Sequence, residues 1–192
     1  WADLTDDDGS YGIAVLNDSK YGWDKPDKGT IRLTLLNTPG CDGSFYHYQG
    51  HQDHGHHSFR YAIVGHKGDF VDADISEAAE SFNQNLLAFA VPKHSGFKGR
   101  SYSFAEVDNS QIALMALKKA EDGSGYIVRI NEMDGRPYQN ASVTFARPIV
   151  SAVETNGIEE EKGSAMTDGN RLIFSGSAFQ PKTFRVIFQD ED

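Results

Sequence analysis

Short segments in which apolar and polar residues alternate follow one another along most of the chain, and they constrain its fold more than any other feature. Because side chains alternate between the two faces of a strand, each segment predicts a strand with one buried face. Turns rich in Gly, Asp, Asn and Pro separate the segments, which favours an all-β fold of antiparallel sandwiches. Nine segments fit this pattern: Tyr11–Leu16, Thr30–Leu36, Phe59–Val64, Asn85–Val91, Gln111–Leu117, Tyr126–Asn131, Ser142–Ala146, Arg171–Ser175 and Thr183–Phe188.

One segment departs from the alternation. Asp74–Phe82 begins with an acidic, cap-forming residue and contains good helix formers, so it predicts one short helix of about two turns. Farther along, the strands at 126–131 and 142–146 flank an Asp-Gly turn and are predicted to be antiparallel neighbours. Arg129 and Glu132 are candidates for an ion pair that fixes this strand and turn, rather than for a functional site.

The strand spacing predicts two domains. Residues 1–107 are expected to be part of a larger β-structure, and residues 110–192 a smaller antiparallel β-sandwich. The first part has few strands for its length, which predicts exposed sheet edges and self-association. Trp1 stands where an initiator Met would be, so we expect the chain to be a piece of a longer polypeptide.

Composition excludes several classes of partner. The formal net charge of −10 argues against binding to a nucleic-acid backbone. No apolar run approaches the roughly 18 residues that would cross a bilayer, so no membrane partner is expected. Cys41 is the single cysteine, which rules out an intrachain disulfide and favours a reducing compartment such as the cytoplasm.

The densest group of potential metal ligands lies between residues 47 and 57, which hold five of the seven histidines together with Asp53. Imidazole and carboxylate groups are zinc ligands, so His51, His54 and His56 are candidate ligands. Their spacing matches no rigid template such as His-Glu-x-x-His. A polar surface loop is therefore the preferred interpretation, and metal binding remains an alternative.

The loop Asn17-Asp-Ser-Lys-Tyr-Gly22 follows a predicted strand and combines an amide, a carboxylate and an aromatic ring. Such groups can bind sugar hydroxyls and pack on a pyranose face, which makes Asn17, Asp18 and Tyr21 candidate ligands of a carbohydrate. The same residues also suit an Asx-type turn with a purely structural role.

Motifs of nucleophilic catalysis are missing from the sequence. It has no Gly-x-Ser-x-Gly elbow, and Cys41 has no persuasive histidine partner. The 28 acidic residues make any catalytic carboxylate pair impossible to select by inspection. We therefore assign no catalytic residue to this chain.

Several of these segments together resemble the C-terminal half of α-mannosidases of glycoside hydrolase family 38. The resemblance rests on Trp1-Ala-Asp-Leu-Thr5, on Leu16-Asn-Asp-Ser-Lys-Tyr-Gly22, and on Asp53, Gly55, His57, Phe59, Tyr61 and Ala62, which match the family pattern D.G.H.F.YAL. Weaker matches continue in order as far as Phe179-Gln-Pro-Lys-Thr-Phe-Arg185, so the likeness covers nearly the whole chain. Gly65 replaces a proline of the family pattern, and Trp23 replaces a Tyr or His.

This resemblance implies part of a large β-supersandwich of the galactose-mutarotase type, followed by a smaller β-sandwich. It also implies a zinc-dependent retaining mannosidase whose zinc and carboxylates lie in an upstream α/β domain, with no cofactor in this chain. The chain would then buttress the catalytic domain, while Asn17, Asp18, Tyr21, Asp53 and His57 would line the cleft for a mannose-containing glycan. Two alternatives remain open: a free-standing carbohydrate-binding module using Trp23, Tyr46 and Tyr48, and a metal-binding protein built on the histidine loop.

Overall fold

The computed structural model describes residues 1–37, 54–96 and 98–189. Within them the chain forms two compact units, Trp1–Ala90 and Val91–Asp192. The units divide earlier than the predicted boundary at 107–110, because a strand at Ala105–Val107 pairs with Tyr138–Phe145 of the second unit. Among the described residues, no helix is long and apolar enough to span a membrane.

The first unit is a three-stranded antiparallel sheet and a two-stranded ribbon with one helix. The elements are β1 Ala2–Thr5, β2 Tyr11–Asn17, β3 Trp23–Asp27, β4 Thr30–Leu33, β5 Tyr61–Lys67 and α1 Ile75–Asn83. The sheet has the order β1-β2-β5, and β3 pairs with β4 in the ribbon. Helix α1 packs through Ile75 and Ala79 on Ala14 and Leu16 of β2, and the four residues form a small buried cluster.

The second unit is a β-sandwich of a five-stranded and a four-stranded sheet. The strands are β6 Ala105–Val107, β7 Ile112–Lys119, β8 Tyr126–Glu132, β9 Tyr138–Phe145, β10 Ile149–Thr155, β11 Glu161–Ser164, β12 Met166–Asp168, β13 Arg171–Gly176 and β14 Pro181–Phe188. The strand orders are β11-β10-β14-β8-β7 and β12-β13-β9-β6, and every pairing is antiparallel.

The core of the second unit lies between its two sheets. Val128 and Phe184 from the larger sheet meet Val143 and Phe145 from the smaller one, and all four side chains are buried. The Phe145 and Phe188 rings contact edge to face at 4.9 Å between centroids. Burying side chains of this size stabilises the sandwich by roughly 2 kcal/mol each.

The all-β fold with one short helix is confirmed, and eight of the nine predicted segments contain a strand. Asn85–Val91 was predicted wrongly, since no strand of the described residues pairs with it and Leu86 and Phe89 are exposed. The predicted pairing of β8 with β9 is also wrong. β8 pairs with β7 and β14, and β9 lies in the opposite sheet. Asp74 precedes α1 in a left-handed conformation (φ 49°), so its side chain does not cap the helix as predicted.

Candidate functional site

A cleft of about 380 Å³ opens in the first unit, where β2 ends and the chain turns toward β3. Its walls combine aromatic rings with amide, hydroxyl and ammonium groups. The lining residues are Trp1, Asn17, Ser19, Lys20, Tyr21, Trp23 and Asn83. The volume falls in the range of roughly 300–1,000 Å³ that is typical of small-molecule sites.

Hydrogen bonds of Asn17 and Asn83 hold the turn that forms this cleft. Asn17 is buried, and its side-chain amide donates to the carbonyl of Lys20. The Asn83 side chain in turn donates to the Asn17 carbonyl at 3.2 Å and to the Ala79 carbonyl at 2.9 Å, which ties the turn to the end of α1. The Asn17 amide thus has a structural role as a donor within the turn and also lines the cleft. This is not the Asx turn considered from the sequence, in which the side-chain oxygen accepts a backbone N–H.

Tyr21 and its neighbours present the aromatic surface of the cleft. The Tyr21 side chain is 89% exposed, and Trp1 is 38% exposed. Gly22 fixes the loop against β4: its carbonyl accepts a hydrogen bond from Thr34 N at 2.8 Å. A Cβ at position 22 would lie 2.9 Å from the Thr34 Cβ, so only glycine fits between Tyr21 and Trp23 here.

Asp18 is held outside the lining of the cleft. Its carboxylate accepts a hydrogen bond from Ser19 Oγ at 2.7 Å and lies 3.7 Å from Arg60 Nε. Arg60 also donates to the Phe82 carbonyl at 2.6 Å and packs over the Phe82 ring. Asp18 therefore links the turn to Arg60 next to the start of β5, and through Arg60 to the end of α1.

The described part of the histidine segment precedes β5. The His57 ring is parallel to the Phe59 ring, with 6.0 Å between the ring centroids, and does not line the cleft. His54 and His56 lie beside it, while His51 and Asp53 fall outside the described residues, as do Cys41, Tyr46 and Tyr48. Within 1–37, 54–96 and 98–189, no group of three His, Cys, Asp or Glu side chains could hold a metal ion.

A buried polar pair in the first unit has no counterpart in the sequence analysis. His66 Nε2 and Asp3 Oδ1 form a hydrogen bond of 2.7 Å, and the two side chains are 4% and 8% exposed. Thr5 Oγ1 donates to the other Asp3 oxygen at 2.7 Å. His66 reaches Asp3 by lying over Gly12 of the central strand. The alternation of residues 61–67 could have pointed to a buried His66, because it places His66 on the same face of β5 as Ala62 and Val64.

Glu132 does not pair with Arg129 as predicted. Its carboxylate is fully buried and accepts hydrogen bonds from four backbone N–H groups, those of Asp134, Gly135, Arg136 and Phe179, at 2.6–3.2 Å, and from Gln111 Nε2 at 3.1 Å. Burial raises the pKa of Glu132, but these hydrogen bonds outweigh it and hold the pKa below 4.5. Arg129 donates instead to Thr183 Oγ1 and to the Gly157 carbonyl. Glu132 therefore organises a turn.

The family of the chain follows from comparison with known proteins. Residues 111–186 match the family model of the glycosyl hydrolases family 38 C-terminal beta sandwich domain. This segment lies within the second unit and covers its strands from β7 to most of β14, whereas β6 precedes it. The chain therefore carries the C-terminal β-sandwich domain of glycosyl hydrolase family 38, and the resemblance to this family is confirmed.

Relatives align with nearly the whole chain. Alpha-mannosidase G of Dictyostelium discoideum is 31% identical over 97% of this chain, and human alpha-mannosidase 2C1 is 30% identical over 98% of it. The chain spans only 17% and 18% of the lengths of these two relatives. An alpha-mannosidase structure from Enterococcus faecalis V583 shares the fold, with a TM-score of 0.74, 19% identity, and coverage of 95% of this chain and 20% of that one.

Proposed function

We propose that this chain is the non-catalytic C-terminal β-region of a zinc-dependent retaining α-mannosidase that hydrolyses terminal α-mannosyl linkages. Its partner is an upstream α/β domain of the same polypeptide, which carries the zinc ion and the catalytic carboxylates. The support is that the chain aligns almost completely with less than a fifth of each α-mannosidase relative. Most of the polypeptide of such an enzyme therefore lies beyond these residues.

The observation that carries a substrate role is the cleft built on the turn after β2. Amide groups and an exposed aromatic ring meet there on a turn that hydrogen bonds hold in place. Amides bind vicinal hydroxyls, and a tyrosine ring packs on a pyranose face. Asn17 shapes the turn, and Tyr21 contacts the glycan. Asp18, Asp53 and His57 hold the neighbouring loops against the catalytic domain.

The buttressing role is supported by an apolar groove on the sheet face opposite α1. Ile31, Leu33 and Leu35 meet Val15, Tyr61 and Ile63 around a groove of about 240 Å³. Ile63 is 68% exposed and Tyr61 is 53% exposed. An apolar face of this kind costs free energy in water and is typical of an interaction surface. In the complete polypeptide, the rest of the enzyme covers it.

Without that cover, the isolated chain is expected to self-associate. Changing Ile63→Lys places a charge in the groove and should shift the chain to monomer, measured by sedimentation velocity at about 100 μM. The matched control is Ile158→Lys, since Ile158 is 75% exposed in the second unit. A control variant that dissociates as readily as Ile63→Lys would contradict the role of this groove.

The isolated chain is expected not to hydrolyse a 4-nitrophenyl α-mannoside, with or without added zinc. The physical reason is that a retaining glycosidase needs two carboxylates about 5 Å apart on opposite sides of the scissile bond. In the proposed enzyme both carboxylates belong to the upstream domain. The measurement is release of 4-nitrophenol by a homogeneous preparation. Turnover that a mutation within this chain abolishes would overturn the non-catalytic assignment.

In the complete enzyme, Tyr21→Ala is expected to lower kcat/KM for an oligomannoside by about tenfold, because a stacked ring contributes roughly 1 kcal/mol or more. Tyr102→Ala is the matched control, since Tyr102 is half exposed in the second unit. Equal activity of the Tyr21 variant and the wild type would remove Tyr21 from the substrate site.

The aromatic lining also favours one alternative, a free-standing carbohydrate-binding module. Trp1 and Trp23 join Tyr21 around the cleft, which gives three rings for a sugar. Calorimetry with α-mannobiose distinguishes the two functions. Micromolar binding by the isolated chain favours the module, whereas binding that requires the catalytic domain favours the accessory region.

A further inference from the structure

A second cleft, in the other unit, lies where the ends of β8 and β14 meet β10 and β11. Its volume is about 420 Å³, again within the range of roughly 300–1,000 Å³ that is typical of small-molecule sites. Most of the residues that line the cleft have polar or charged side chains. The lining residues are Arg129, Glu154, Thr155, Asn156, Gly157, Lys162, Gln180, Pro181, Lys182 and Thr183.

Positive charge collects in this cleft although the chain as a whole carries a net charge of −10. Three basic side chains line it, and Glu154 is the single acidic one. Glu160 follows on the adjoining turn, but it does not line the cleft, and its carboxylate accepts a hydrogen bond from the Asn156 amide at 2.8 Å. A positive cleft on an acidic protein attracts anions selectively.

The basic groups have hydrogen-bond donors left over. Among the residues that the structure describes, Arg129 uses two of its five N–H groups, donating to Thr183 Oγ1 at 3.1 Å and to the Gly157 carbonyl at 3.0 Å. These two contacts fix its guanidinium in place. Lys182 Nζ is 2.9 Å from one oxygen of Glu154, and Lys162 Nζ is 3.6 Å from the other. One carboxylate thus serves two ammonium groups, and the guanidinium has no acidic partner in the lining.

A β-bulge shapes the cleft. The register of β10 against β11 shifts between Glu154 and Thr155, and bulges of this kind re-aim side chains beside binding sites. Thr155 is 3% exposed, and its hydroxyl makes no hydrogen bond with any described group. A buried polar atom without a partner is uncommon and needs an explanation such as a bound ligand or water.

We propose that this cleft binds a small molecule through one oxyanion, a phosphate or a carboxylate group. Arg129 supplies a preoriented fork of donors, which matches either anion, and Lys162 adds a mobile ammonium group. Glu154 competes with the ligand for both lysines. The proposal concerns the second unit alone, and so it stands or falls separately from the mannoside cleft.

The test uses inorganic phosphate and acetate as probes and methyl α-mannoside as the uncharged control. Titrations at low ionic strength, followed by amide NMR shifts and calorimetry, should show saturable binding that shifts the amides of Thr155, Gly157 and Thr183. Tighter binding of phosphate identifies a phosphate ligand, and tighter binding of acetate a carboxylate ligand. Absence of saturable binding of both anions would overturn the proposal, as would equal shifts of these amides by the mannoside.

Substitutions then separate a binding role from a structural one. Lys162→Gln should weaken phosphate binding about fivefold, because it removes one charged donor. Lys119→Gln is the matched control on an exposed strand position outside the cleft, and it should change the affinity less than about twofold. Glu154→Gln should tighten binding about threefold, since it removes the competing carboxylate. Weaker binding by Glu154→Gln, or equal affinities of the two lysine variants, would contradict the proposal.

Discussion

Changing Glu132→Gln is expected to lower the free energy of unfolding by about 3 kcal/mol. The carboxylate accepts hydrogen bonds through both oxygens, whereas glutamine would place an NH₂ donor against some of the same N–H donors. Four backbone donors and one side-chain donor converge on this buried group. The measurement is urea unfolding at pH 7. Glu106→Gln is the matched control in the same unit, since Glu106 is exposed on β6, and it should change the free energy of unfolding by less than about 0.5 kcal/mol.

The same carboxylate predicts how stability depends on pH. The pKa of Glu132 is lower in the folded chain than its ordinary value of 4.5, so its stabilisation is fully present above that value. The stabilisation is lost as the pH falls through the folded-state pKa. The difference in unfolding free energy between the wild type and Glu132→Gln should therefore shrink on acidification below pH 4.5. A difference that stays constant down to pH 3 would contradict this account.

Changing Gly12→Ala is expected to lower the free energy of unfolding by about 3 kcal/mol, because the new methyl group displaces a buried ring. A Cβ at position 12 would lie 2.4 Å from His66 Cε1 and 3.0 Å from the Leu4 carbonyl oxygen. Relieving that contact moves His66 away from Asp3. This breaks the hydrogen bond that joins β1 to β5, the two outer strands of the sheet. Chemical unfolding followed by tryptophan fluorescence measures the effect.

The sheet offers its own control. Gly65 lies in the neighbouring strand, and a Cβ there would meet nothing within 4 Å, so Gly65→Ala should change the free energy of unfolding by less than about 1 kcal/mol. Removing the ring by His66→Ala should also remove most of the cost of Gly12→Ala, to about 1 kcal/mol. Additive effects of the two substitutions would show that the His66 ring is not what position 12 must accommodate.

Alternation predicted strands where each had a core to cover. The segments that became β2, β5, β8 and β14 were found because each has residues that are partly or fully buried in a core. Six strands of the described residues lie outside the predicted segments: β1, β3, β6, β10, β11 and β12. Of these, β11 and β12 are short and largely exposed, so neither has a buried face that would impose a pattern. The segment 85–91 shows that alternation alone is not enough to form a strand. It has the alternating pattern, but no strand of the described residues pairs with it.

Strand partners could not be predicted in the same way. Alternation fixes which face a residue occupies, but it does not specify which strand lies beside it. β8 was expected to pair with β9, the next strand along the chain. It pairs instead with β14, where Arg129 lies opposite Thr183, 54 residues away.

The candidate site divides in the same manner. The turn from Asn17 to Gly22 is local, and its residue types were enough to single it out. Trp1 and Asn83 complete the cleft from distant parts of the sequence. The second cleft could not be predicted from any single segment of the sequence. Its walls come from four strands between residues 129 and 183.

The sequence by itself determined the all-β class, the family, and the turn on which the proposed glycan site is built. These depend on local spacing and on residue types, which act over a few positions of the chain. The tertiary structure alone decided which strands pair, that His66 reaches Asp3 across Gly12, and that Glu132 also accepts hydrogen bonds from Gln111 and Phe179. Those contacts join residues tens of positions apart, and only the closing of the sheets and the packing of the core bring them within hydrogen-bond distance.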